Sequence, residues 1–516
     1  MKKAFKVIFI YLGVIILALL ATVVFCAGFL FFYREGNIFG IQYISTKEVI
    51  YAKENEDMSG IQAIEVYSES YEVRIGIVEG VENLIGAMNN EVFGYTKKAK
   101  AHTSFKLEYN EDTKTAVFSS QQPKGWLNKK KSFIQIAIPE SWADKEFDLI
   151  IKTEKADISV LGTDLLSVDN LVIDSNKGEA SVSNLNIAKG IDVNIGSGLV
   201  YLDSTCSTTN GIDAVINVGS GTINFAKVDT QKFSFGTVEI RRIVKGKIGI
   251  IKAEELITNG NINGGGKIEV GEVGVVNFES LDTDIAVKTI NGVQGSNSAK
   301  SIITITGYGD VFVETSKSNL EVNGYNGNIN VNTITESAVL MSNQGDIAVY
   351  NAIKAIGVNT EYGDIYVNFV NSNAVYTPEN GIKAIEATTK NGHIIIKGLQ
   401  HGVITATDNG RISLSYDKIV GNNVIRAKTG AVNIVVPAPT STSAENAYAF
   451  NLKVNSDVNS DIKVGVVGQL GGVDFAGSGS KEFSNIYNSE SSTLNILNVS
   501  TSTGVIKIRS TDLIGF

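Results

Sequence analysis

The chain has 516 residues, with 45 Lys and Arg against 54 Asp and Glu, a formal net charge of −9. That balance disfavours a nucleic-acid partner, because binding a polyphosphate asks for a basic face. Glycine at 51 and proline at only 5 exclude collagen-like and proline-rich disordered chains, and 43% hydrophobic residues suffice for a large core.

Residues 1–6 form a short basic stub carrying Lys2, Lys3 and Lys6. Twenty-seven residues follow, Val7 to Tyr33, without a charged side chain, and Arg34 closes the run. A bilayer core of about 30 Å needs roughly 20 helical residues, more than the apolar part of a cleavable signal, so residues 7–33 predict one uncleaved transmembrane helix. Three lysines ahead of it put the N-terminus in the cytoplasm and the bulk outside, which makes a single-pass protein of the cell membrane. A signal peptide cut near Ala27 is the alternative, and it exports the bulk equally. Val23, Val24 and Phe25 lack the small residue that lipid attachment at Cys26 would require. Without Lys2, Lys3 and Lys6 there remain 42 basic residues against 54 acidic ones, a charge of −12 on the exported part. Cys206 is the one cysteine in that part, so no disulfide closes within it.

Residues 34–60 read as a polar connector and 61–140 as an N-terminal β cap. Within the cap, 61–75 reads as two strands and 132–140 as another that ends at Pro139. Nine lysines lie between Gly94 and Phe133 (Lys97, Lys98, Lys100, Lys106, Lys114, Lys124, Lys129, Lys130, Lys131), against Glu108, Glu111 and Asp112. Trp126 stands among Lys124, Lys129, Lys130 and Lys131, and an aromatic ring among cations suits an anionic membrane surface or an acidic envelope polymer. The plainer reading is a solvated hairpin loop with Trp126 packed beneath it.

Residues 141–440 carry a repeat. GDIAV from Gly345 and GDIYV from Gly363 lie eighteen residues apart, and the pattern returns at Gly309, Gly327, Gly392, Gly410 and Gly430. Weaker copies start at Gly178, Gly198, Gly221, Gly246, Gly266 and Asp282. Apolar residues alternate after each glycine, as at Ile347 and Val349, and a second alternating pair precedes it, as at Ile356 and Val358. Each unit therefore holds two short strands and two turns. Neither strand can bury its inner face alone, so units must stack, which predicts an all-β parallel β-solenoid. The glycine is expected at a corner that needs positive φ. After 436–439 the glycine spacing is lost, and 441–516 read as a C-terminal β cap that covers the open end of the stack.

Residues 134–160, IQIAIPESWADKEFDLIIKTEKADISV, hold a strand ending in proline, a polar spacer, a second strand and the start of the repeat. This resembles the bacterial family described as putative adhesins with β-strand repeats, a domain of unknown function numbered 4097 (DUF4097), over roughly residues 60–435. The resemblance implies an envelope-displayed β-solenoid with adhesion as an inferred role and no catalytic residues to carry over. Lys155 and Ala156 stand where that family's first glycine would be.

Asp346 and Asp364 occupy equivalent places one unit apart. A shared Ca²⁺ is one reading, and a wet corner where both accept backbone hydrogen bonds is the other. No calcium-type ligand repeat occurs, and none of His102, His393 and His401 has a metal partner at i+4, so neither metal nor cofactor is expected. Tyr308, Tyr325, Tyr350, Tyr362 and Tyr366 cluster in the middle units, either as a contact stripe or as ordinary cross-strand pairs. The sequence thus predicts a non-enzymatic, outward-facing adhesion, interaction or structural module whose partner is an envelope or surface macromolecule. An envelope-stress or assembly component acting through a membrane partner is the alternative, and a polysaccharide-acting β-helix enzyme is the third reading.

Overall fold

The computed structural model describes residues 15–24, 41–42, 48–53, 58, 60–90, 92–93, 95–96, 104–121, 127–128, 133–161, 166–208, 211–260, 262–293, 299–370, 385–400, 402–437, 449–456, 461–466, 473–478, 481–487 and 494–510. Residues 15–24 are an α-helix of nine apolar or small residues and Thr22, all exposed. At 1.5 Å per residue it is about 15 Å long. Among the described residues no helix is long and apolar enough to cross a membrane; the rest of the 7–33 run lies outside them. Beyond this helix and a single 3-10 turn at Glu140–Trp142, the described structure is strand and loop. The chain divides into two compact units, Met1–Thr209 and Asn210–Phe516.

In the second unit the repeat becomes two parallel ladders. Strands ahead of the glycines form a leading ladder, in which Leu320, Ala338 and Ile356 lie in one column. Strands behind the glycines form a trailing ladder, in which Ile329, Ile347, Ile365 and Ile394 lie in another. These columns are buried, as are Val322, Leu340, Val358, Val331, Val349 and Val367 beside them. Removing one such Val, Leu or Ile from water is worth about 1.5–3 kcal/mol, and no rung could do this without its neighbours.

The stack does not follow chain order at its C-terminal end. Asn422–Thr429 and Val432–Val436 pair in parallel with Leu494–Thr503 and Val505–Ser510, the last strands in the chain. Those in turn pair in parallel with Ala449–Ser456 and Asp461–Val466. The final rung therefore lies between two earlier ones, and Gly504 stacks on Gly430 as a full member of the glycine column. Lys481–Tyr487 and Val473–Ser478 close the end as antiparallel strands.

The first unit has the mirrored arrangement. Ala63–Ser68 and Glu72–Val78 make the first rung in sequence, yet they lie between Thr115–Gln121 with Phe133–Pro139 on one side and Asp148–Thr153 with Ile158–Val160 on the other. Ser104–Asn110, Ile85–Asn90 and Glu48–Lys53 then add in antiparallel fashion. Reversing strand direction at an end breaks the template that would otherwise recruit another chain's parallel rung. Leu166–Val182 and Leu185–Leu202 continue the parallel pairing, with Gly178 opposite Gly198. Ala156 holds the place before Gly178, in line with its position in the sequence pattern.

Candidate interaction face

The corner between the two ladders explains most of the repeated residues. A Cβ built on Gly327, Gly345 or Gly363 would lie 2.0, 2.0 or 2.2 Å from the carbonyl oxygen of the preceding column glycine. The same collision recurs at Gly392, Gly410, Gly430 and Gly504. Gly363 and Gly392 do not have positive φ, so the expected corner dihedral is only part of the reason. Close approach of one rung's backbone to the next is the requirement common to all of them. Four of these carbonyls also accept a hydroxyl hydrogen bond. Ser342 donates to Gly327, Thr360 to Gly345, Thr389 to Gly363 and Thr407 to Gly392, at 3.1–3.2 Å. In sequence this is a hydroxyl residue three places before a glycine, a signal present in the repeat but not used in reading it.

The residue after the glycine has its own column. The Asp310 N–H donates to Asp284 Oδ1 and the Asn328 N–H to Asp310 Oδ1. Asp346 N–H then donates to Asn328 Oδ1 at 2.9 Å, Asp364 N–H to Asp346 Oδ1 at 2.8 Å and His393 N–H to Asp364 Oδ1 at 2.7 Å. Arg411 N–H ends the series on His393 Nδ1 at 2.9 Å, which leaves the imidazole proton on Nε2. Asp346 and Asp364 thus sit at the corner and accept backbone hydrogen bonds, each satisfying a donor that the turn leaves outside the ladders. Among the described residues no group of three or more His, Cys, Asp and Glu is placed to hold a metal ion.

The outward face of the trailing ladder carries two grooves. Its first groove, about 470 Å³, has a floor of Gly249, Gly271 and Ala286, where short or missing side chains lower the sheet surface, and Lys247, Lys288 and Phe312 stand around it. Its second, about 370 Å³, is lined by Ser413, Ser415 and Asn433, by Ile395 and Val435, and by Lys397, Lys507 and Arg509. Tyr350 and Tyr366 lie on the same ladder between these regions, with ring centroids 5.7 Å apart, and Lys397 Nζ is 5.6 Å from the Tyr366 ring centre. The five tyrosines do not make one stripe. Tyr308 and Tyr362 lie at the corner end of the leading ladder, where they pair with Asn326 and Gln344, and exposed Tyr325 lies beside them.

Several cations of this unit are matched by an acid one rung away or two residues along a strand. Glu269 accepts from Lys247 at 2.8 Å and Lys267 at 2.9 Å, and these hydrogen bonds hold its carboxyl below the usual carboxylate range. Lys300 pairs with Glu321, Lys354 with Glu336, Lys390 with Glu361, and Arg241 with Glu239. Lys397, Lys507 and Arg509 form no ion pair among the described residues, and the strands that carry them contain no Asp or Glu.

In the first unit, the proposed surface-binding residues Lys124, Trp126, Lys129, Lys130 and Lys131 lie outside the described residues, as do His102 and, in the second unit, His401. Lys106 and Lys114 are described and exposed. Cys206 is fully buried, its thiol donates to the Val182 carbonyl at 3.4 Å, and burial pushes its pKa up to about 12.

No curated protein matches the chain. Among solved structures it is similar to a putative cell adhesion protein from Clostridium sporogenes, at 9% identity and a TM-score of 0.14, covering 90% of this chain and 100% of that one. It is also similar to a putative adhesin from Parabacteroides distasonis (10% identity, TM-score 0.18, 72% of this chain and 96% of that one) and one from Bacteroides fragilis (11%, 0.16, 72% and 98%). The sequence match to a family model is the stronger relation. It runs over residues 61–289 and ends before the most regular eighteen-residue rungs, short of the 60–435 that the resemblance suggested. The family that the chain matches over residues 61–289 is described as Toastrack DUF4097.

Proposed function

We propose that the chain is a single-pass protein of a bacterial cell membrane whose β-stack faces outward and serves as a non-enzymatic adhesion or interaction module. The uncharged run from Val7 to Tyr33 behind three lysines supports the anchor and its direction. One observation supports the non-enzymatic part: the aligned carboxylates of the corner column, the residues an acid–base mechanism would draw on, share one environment, each accepting a backbone N–H of the next rung on Oδ1. General acid–base chemistry needs carboxyl groups free to exchange protons with a substrate in distinct environments. A parallel stack with grooves along an outward face suits recognition of an extended envelope partner instead.

The test is topology. The full chain with a C-terminal tag is made in a bacterium, membranes are washed with carbonate, and intact spheroplasts are treated with protease. The expected result is retention in the washed membrane and loss of the tag to external protease. A tag released into the soluble fraction together with the stub, or one protected until lysis, would overturn the reading.

A further inference from the structure

Along the outward face of the trailing ladder, one column runs Tyr366, Ile395, Ser413, Asn433, Lys507 and Lys463, one residue per rung. The neighbouring column holds Ser415, Val435 and Arg509. Lys397 lies three rungs from Arg509, and at about 4.8 Å per rung the two cationic ends of the groove are roughly 14 Å apart. Between them Ser413, Ser415 and Asn433 offer two hydroxyls and an amide, with Ile395 and Val435 beside them. Lys507 stands directly opposite Lys463 on the adjacent rung, a placement that destabilises a sheet. Lys397, Lys507 and Arg509 thus bring three cations without an ion pair among the described residues to one groove of a chain whose net charge is −9.

We propose that this groove binds an acidic polysaccharide laid along the stack axis. Hydroxyls and an amide both donate and accept, as sugar hydroxyls require. The Tyr366 ring at one end offers a flat face to the apolar side of a sugar ring, and the cations at both ends meet widely spaced carboxylate groups. The sparse charge separates this ligand from nucleic acid, whose duplex carries one charge per about 1.7 Å and calls for a continuous basic surface. The inference rests on the envelope-facing reading above and names the partner that such a face would take.

The experiment uses the full chain in nanodiscs of neutral phosphatidylcholine. Binding of a galacturonate homopolymer is titrated at low and moderate salt, with neutral dextran and inorganic polyphosphate as comparison polymers. Tight, salt-sensitive binding of polygalacturonate is expected, with dextran at least tenfold weaker. Lys507→Gln with Arg509→Gln should weaken polygalacturonate at least tenfold, and Lys507→Arg should keep it. Lys354→Gln, an equally exposed but ion-paired lysine, should change it less than twofold. These side chains point to solvent, so far-ultraviolet spectra and melting should be unchanged. The proposal is overturned if dextran binds as well as polygalacturonate, if the double variant binds like wild type, or if polyphosphate matches polygalacturonate charge for charge. Purified protein makes the outcome independent of topology, so failure of this titration and failure of the protease test are separate results.

Discussion

Gly363→Ala isolates what the glycine column is for. Because Gly363 lacks positive φ, alanine can adopt its backbone conformation, and the whole penalty comes from the new methyl group. That methyl would lie 2.2 Å from the Gly345 oxygen, 2.6 Å from its carbonyl carbon and 3.1 Å from the Asp346 nitrogen, all backbone atoms that no rotamer change can move. The rungs must part by about 1 Å, which loosens the Asp364 N–H bond to Asp346 and the Thr360 hydroxyl bond to Gly345. Overpacking costs typically about 1–3 kcal/mol, and two weakened hydrogen bonds add about 1 kcal/mol each, so a destabilisation of roughly 2–5 kcal/mol is expected. Gly357→Ala is the internal control. It lies in the same rung, and its added methyl would meet only a Val339 side-chain carbon at 3.9 Å, so a change within about 0.5 kcal/mol is expected. Stability is read from urea unfolding, and local opening from amide hydrogen exchange of the rungs around Tyr362 and Asn391. Equal stability of the two variants would refute the close-approach argument.

Two further outcomes follow from buried and corner groups. Asp346→Ala removes the acceptor for the Asp364 N–H and should cost about 1 kcal/mol in urea unfolding, whereas Asp346→Asn keeps an acceptor, as Asn328 does naturally, and should be near neutral. Cys206 should resist alkylation at pH 8 in the folded protein and react once urea unfolds it, because burial holds the thiol protonated up to about 12. The linkage sign is destabilising at high pH: the unfolded thiol ionises from about pH 8.5 and the folded one does not, so stability falls between there and about pH 12. A Cys206→Ser variant should lose that part of the alkaline decline.

The repeat was legible in the sequence because each rung restates it locally. Alternation at Ile347 and Val349 or at Ile356 and Val358 assigns the inner face, and the eighteen-residue return of glycine assigns the stacking. The reason for the glycine was read less well, since a corner dihedral is a property of one residue and a collision with Gly345 is a property of two rungs. The tyrosines show the same limit. Tyr350 and Tyr366 share a face and Tyr308 and Tyr362 do not, although all four fall within sixty residues, because side-chain direction depends on which ladder carries each one.

Amino-acid order alone therefore determined the strand pairs, the buried columns and the apolar run near the start, all of which depend on contacts of short or regular sequence spacing. The tertiary structure decided the order of rungs at both ends, with 63–78 and 494–510 each inserted between segments that do not adjoin them in the chain. It also decided which cations lack an acid. Asn433 and Lys507 become neighbours only when the last rung enters beside 432–436, and a pairing across that distance leaves no periodic trace, because any strand with a matching apolar face would satisfy the same hydrogen bonds.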